Sequence, residues 1–164
     1  MPDSFPEKQA REGVSDVRKV RRALVGLLSA VVLGACVGPA RTSDAYAGKA
    51  STSLHDTRSA VETARLAVDA AAGGRATGPY LSVLLADAEE QASSVQSTFA
   101  SIQPPNREAD QVRDDVDALL TEAVSALADL RIAARRGDTA GITEKGPALE
   151  DLSRRLGQLE DRLG

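Results

Sequence analysis

The sequence predicts an all-α fold, an antiparallel up-down four-helix bundle spanning residues 46–164. Three observations predict it. Apolar residues recur in paired heptad rows, the spacing that builds the seam of a left-handed bundle. Helix breakers divide the chain into four segments with short connections, which force neighbouring helices to run antiparallel. There are no tryptophans and only two tyrosines and two phenylalanines. The core must then be built from Leu, Val, Ile and Ala, which suits close-packed helices better than a sheet rich in aromatic and β-branched residues.

The elements follow in order. The first segment runs from about Tyr46 to Ala72 and stops at Gly73-Gly74; its row is the weakest, with Leu54, Val61 and Val68 assisted by Ala64 and Ala71. The second runs from Tyr80, with Pro79 available to its first turn, to Ile102 and stops at Pro104-Pro105. Leu81, Ala88, Val95 and Ile102 form one row, and Leu85, Ala92 and Phe99 lie four residues behind. The third opens after Asn106 as N-cap and closes at Arg136-Gly137, basic side chains at the negative pole with glycine beyond. Its rows are Ala109, Val116, Ala123, Leu130 and Val112, Leu119, Ala126, Ala133. The fourth spans roughly Thr139 to Leu163 behind an Asp138 cap, with Gly146-Pro147 expected to kink it or delay its start. Ile142, Leu149, Leu156 and Leu163 face the core with Leu152 and Leu159.

Charge supplies the register. Glu108, Asp115, Glu122 and Asp129 flank the third seam, and Arg155 and Arg162 flank the fourth. Facing residues of an antiparallel hairpin have numbers with a constant sum, which pairs Glu122 with Arg155 and Asp115 with Arg162. It also sets Val116 against Leu159 and Ala123 against Leu152 in the core. Exposed pairs of this kind contribute about 0.2–1 kcal/mol each, more to register than to stability.

Ahead of the bundle lies a different composition. Arg18, Lys19, Arg21 and Arg22 precede an apolar run from Ala23 to Ala35. A basic flank, a short apolar helix and small residues before a cleavage point are the parts of a secretory signal peptide. At ~1.5 Å per residue the run reaches about 20 Å, short of a hydrocarbon core of about 30 Å. The run ends at Leu33, Gly34, Ala35 and Cys36, and these four residues resemble the lipobox of bacterial lipoproteins: an aliphatic residue, two small residues, then cysteine. In that family the cysteine thiol receives a diacylglyceryl group and signal peptidase II cleaves just before it. The resemblance implies a leader over residues 1–35, a lipidated Cys36 opening a flexible tether over 36–45, and a protein held on the extracytoplasmic face of the cell membrane. One acyl chain gives only marginal membrane binding, and the two of a diacylglyceryl group suffice without a spanning helix. Cys36 is the only cysteine, so no disulfide within the chain competes for its thiol. Over the bundle the chain looks like the small helical lipoproteins of bacteria with GC-rich genomes, a likeness that carries no activity with it.

Composition and motifs exclude most chemistry. The full chain carries a formal charge of −4; losing residues 1–35 removes six bases and four acids, leaving −6. An acidic surface argues against nucleic acid and against attraction to anionic head groups. Asp110, Asp114 and Asp117 share one helical face, and Asp87, Glu89 and Glu90 cluster on the second segment. Either group resembles a divalent-cation site, because hard cations take several carboxylate oxygens; a solvated, charge-patterned helix surface is the preferred reading of both. A di-iron bundle needs Glu-x-x-His on two helices, whereas the one histidine, His55, is preceded at that spacing by Thr52. No catalytic triad or phosphate loop is present in the sequence, and Gly73-Gly74-Arg75 reads as a helix stop. No enzyme and no cofactor are expected beyond the lipid itself. The expected function is a non-enzymatic binding or scaffold module that presents helix faces to another envelope protein. The alternative is a solute- or metal-binding accessory protein of an envelope transporter or sensor.

Overall fold

Helix caps decide where each element begins and ends. A computed structural model describes residues 42–164, which fall within one unit, Pro39–Gly164. The expected signal peptide, with Leu33, Gly34, Ala35 and Cys36, and the expected tether up to residue 41 lie outside the described residues. Helix α1 spans Ser43–Ala72, three residues earlier than the sequence predicts. Thr42 is the reason: its Oγ1 accepts the Ala45 N–H at 3.2 Å, and Asp44 sits in the first turn at the positive pole. The helix thus takes in Ser43, Asp44 and Ala45, which the sequence assigns to the tether. At the other end Gly74 takes φ +62, so Arg75 N–H reaches the Ala70 carbonyl at 2.8 Å and Gly74 N–H reaches Ala71 at 3.0 Å. That is a Schellman stop, which requires a residue free to adopt positive φ.

Helix α2 spans Gly78–Ala100 with Pro79 in its first turn, and α3 spans Arg107–Arg135. Asn106 caps α3 through Oδ1, accepting from Ala109 N–H at 3.0 Å. Gly137 (φ +68) ends α3 as Gly74 ends α1, with Asp138 N–H on the Ala133 carbonyl at 3.0 Å. The expected fourth helix is divided. Helix α4 is the single stretch Thr139–Glu144, capped by Asp138 Oδ1 on Gly141 N–H at 2.8 Å, and α5 runs Gly146–Leu163. Pro147 has no N–H for the carbonyl four residues back and its ring crowds that carbonyl, so the chain breaks at Lys145 and restarts.

The described residues are 86% helical with no strand, and the helices pack together as an all-α bundle. Helices α1 and α3 are its centre: each touches the four other helices, whereas α2 meets neither α4 nor α5. The sequence ranks α1 weakest because its interior residues are small: Ala50, Ala60, Ala64, Ala67 and Ala71 are all buried beside Leu54, Val61 and Val68. A heptad count scores large apolar residues, while a helix surrounded on several sides needs small ones.

Helix α3 shows the same effect. Ala109, Val116, Ala123 and Leu130 are buried as expected. The companion row is displaced by one residue: Leu120, Leu127 and Ala134 are buried, and Val112, Leu119, Ala126 and Ala133 are only partly so. Packing against α1 and α2 as well as α4 and α5 widens the buried stripe beyond a two-position seam. Leu149, Leu152, Leu156 and Leu159 of α5 are buried as the sequence implies.

Candidate functional site

Polar side chains fix the helices to one another along the bundle. Between α1 and α5, Glu160 receives two partners: His55 Nδ1 lies 2.9 Å from Oε1, and Arg58 Nη1 donates to Oε2 at 3.1 Å. Two turns along, the buried Ser153 donates to Glu62, which also takes Arg65 at 2.9 Å. Burial pushes the Glu62 carboxyl up, but the Ser153 and Arg65 hydrogen bonds and the Arg65 and Arg58 charges outweigh it. The result is a carboxyl held below its ordinary range. Gly157 lets the Arg58 guanidinium lie close against α5: a Cβ there would stand 3.1 Å from Arg58 Nη1, a tight contact. Between α2 and α3, Arg131 grips Glu89 and Gln96 donates to Thr121 at 2.8 Å.

Between α3 and α5, Arg155 forms a two-bonded pair with Glu122, one of its contacts at 2.9 Å, and also holds Asp151 at 2.9 Å. The Glu122 hydrogen bonds raise the Arg155 guanidinium further above its ordinary range, against a smaller opposing effect of burial. Lys145 reaches Asp129 at 2.9 Å across the same interface. The sequence-derived register is therefore right at Glu122, and it fails one step along. Asp115 and Arg162 form no ion pair; both line an open groove of about 680 Å³ with Leu119, Leu159 and Gln158. Helix α5 follows α1 more closely than α3, so α3 and α5 separate toward the end of the bundle where α1 begins.

Asp110, Asp114 and Asp117 occupy the first turns of α3. Asp117 lies 3.9 Å from Arg113, and Asp110 and Asp114 project outward. Among the described residues no three His, Cys, Asp or Glu side chains come together in a way that could hold a metal ion, these aspartates included. The neighbouring feature is one the sequence did not reveal. Tyr46 is wholly buried, its ring 5.7 Å from that of Phe99, and its hydroxyl has no hydrogen-bond partner. Burial raises its pKa above the ordinary tyrosine value; Arg113 opposes the shift, and Asp117, Asp110 and Asp114 add to it. Thr57, also on α1, is the second buried hydroxyl without a partner. A tyrosine in the first turn of a predicted helix signals neither depth nor isolation.

The remaining surface is polar, with four exposed large apolar side chains among the described residues: Leu66, Tyr80, Val83 and Ile132. No described helix is long and apolar enough to cross a membrane. Compared with protein-family models, curated proteins and solved structures, the chain matches none.

Proposed function

We propose that the protein is a lipid-anchored module of the bacterial cell envelope, a non-enzymatic helical body that presents its outer faces to another envelope protein. The observation that carries this reading is the sequence Leu33-Gly34-Ala35-Cys36 behind a basic and apolar leader. The bundle suits it. Six residues separate Cys36 from the first residue of α1. At full extension they reach about 20 Å, enough to clear the head groups while keeping the α1 start near the bilayer. The acidic surface left after leader removal gives the body no electrostatic reason to lie on anionic lipid. Lipid on Cys36, and not the protein surface, then does the holding.

Cells expressing the full chain are fed a labelled fatty acid, and the product is recovered and probed for label. The wild-type chain takes up label and partitions with membranes; Cys36→Ser takes up none and is released. Label retained by Cys36→Ser, or absent from the wild type, overturns the reading.

A further inference from the structure

The groove between α3 and α5 carries opposite charges that do not meet. Leu119 of α3 and Leu159 of α5 give it an apolar lining, and Asp115 of α3 and Arg162 of α5 line the same opening. Both charged residues are exposed, and neither has an ion-pair partner among the described residues. They stand at one height, because the antiparallel register that joins Glu122 to Arg155 sets Asp115 and Arg162 two turns further along their helices. By that level α3 and α5 have separated. The apolar row on this side of α3 is left half-covered as well: Val112 and Leu119, three residues before Asp115 and four after it, are only partly buried.

We propose that this groove is one half of a two-fold interface, in which a second copy of the chain lays its α3 against α5 of the first and its α5 against α3. Charge complementarity and symmetry single out that occupant. Whatever covers the groove must offer a cation to Asp115 and an anion to Arg162 at the same height. A two-fold axis parallel to the helices does this with the chain's own residues. It carries α3 over to the α5 side without changing its height, so Asp115 of each copy meets Arg162 of the other. An axis across the helices sets α3 on α3 and α5 on α5, where these charges meet only their like. An anionic bilayer would satisfy Arg162 and repel Asp115. The parallel arrangement also leaves both α1 starts at one end, where two chains held by Cys36 in one membrane need them, although the interface itself does not depend on the anchor.

Sedimentation equilibrium on the full chain carrying Cys36→Ser reads the association, and the residues ahead of the bundle are common to every variant. The parent chain dimerises. Asp115→Arg alone and Arg162→Asp alone each set like charges together twice per dimer and weaken association about tenfold, with circular dichroism unchanged. Mixed in equal amounts, the two single variants form a heterodimer as tight as the parent, because every contact then joins an arginine to an aspartate. The double variant re-forms the dimer for the same reason. Asp87→Arg, an equal change of charge on α2, leaves association as it was. At concentrations where the chain is monomeric, positions 115 and 162 stay uncoupled. A monomeric parent, single variants that associate like the parent, or a mixture that fails to rescue overturns the proposal. So does rescue of Asp115→Arg by the parent chain, which is the mark of α3 lying on α3. A chain that dimerises but takes no lipid at Cys36 loses its anchor alone; one that is lipidated and monomeric loses the interface alone.

Discussion

Replacing Leu127 by alanine separates the two descriptions of α3, because the heptad pattern of the sequence leaves this residue out of both rows and the structure buries it completely. Truncation removes three buried carbons at about 0.8 kcal/mol each. The cavity left behind adds to that, giving about 2.5–5 kcal/mol in total. Leu119, which the same pattern places in the core, lines the open groove against α5 and is only partly covered. Its alanine variant loses part of the transfer term and leaves no closed cavity, so the cost is about 1 kcal/mol. Urea unfolding followed by circular dichroism at 222 nm reads both, provided the slope of free energy with urea is unchanged. Against a typical total of about 5–15 kcal/mol, Leu127→Ala forfeits a large fraction of the stability. Equal losses, or a larger loss at Leu119, would mean that α3 is rotated from the orientation described, and the argument from its packing against α1, α2, α4 and α5 would fail with it.

Charge exchange checks the α3–α5 register: Glu122→Arg with Arg155→Glu recovers about 0.2–1 kcal/mol relative to the single reversals, whereas the equivalent exchange at Asp115 and Arg162 shows no coupling. Glu62 ties α1 to α5 through a carboxyl held below its unfolded value, so its contribution is complete above the ordinary carboxylate range and is lost as pH falls through the lower folded value. Unfolding free energies from pH 7 to pH 2 should therefore fall less steeply in Glu62→Gln than in the wild type; parallel curves would refute the assignment. Tyr46 behaves in the opposite sense: its raised folded value leaves it neutral while the unfolded chain ionises, so stability is intact below about pH 10 and declines as pH rises toward the folded value. With Tyr80→Phe making Tyr46 the sole tyrosine, absorbance at 295 nm should titrate late and together with unfolding, and titration in the ordinary range would contradict its burial.

Segmentation was the most legible part of the fold, because its determinants are local. Asn106, Asp138, Gly74, Gly137 and Pro147 act through their own backbone geometry, and each begins, ends or breaks a helix near the place the sequence marks. The α1 start was misread by three residues, although Thr42 is a good N-cap, since the small polar stretch before Tyr46 has the composition of a tether. Which helices sit in the middle was not legible. Centrality depends on how many neighbours a helix acquires, and an alanine-lined face looks weak in isolation for the same reason it packs closely in the bundle.

Functional legibility divides along the same line. The resemblance of Leu33-Gly34-Ala35-Cys36 to a lipobox lies in a contiguous peptide, readable without any fold, and the anchoring it implies is a proposal about where the protein is held. Leu66 on α1 and Tyr80 and Val83 on α2 are each exposed. Single exposed apolar residues are ordinary and carry no message. Asp110, Asp114 and Asp117 illustrate the converse: their spacing suggests a site in one dimension, yet the aspartates do not converge into a group able to hold a metal ion. A helical face alone fixes direction, and binding requires convergence.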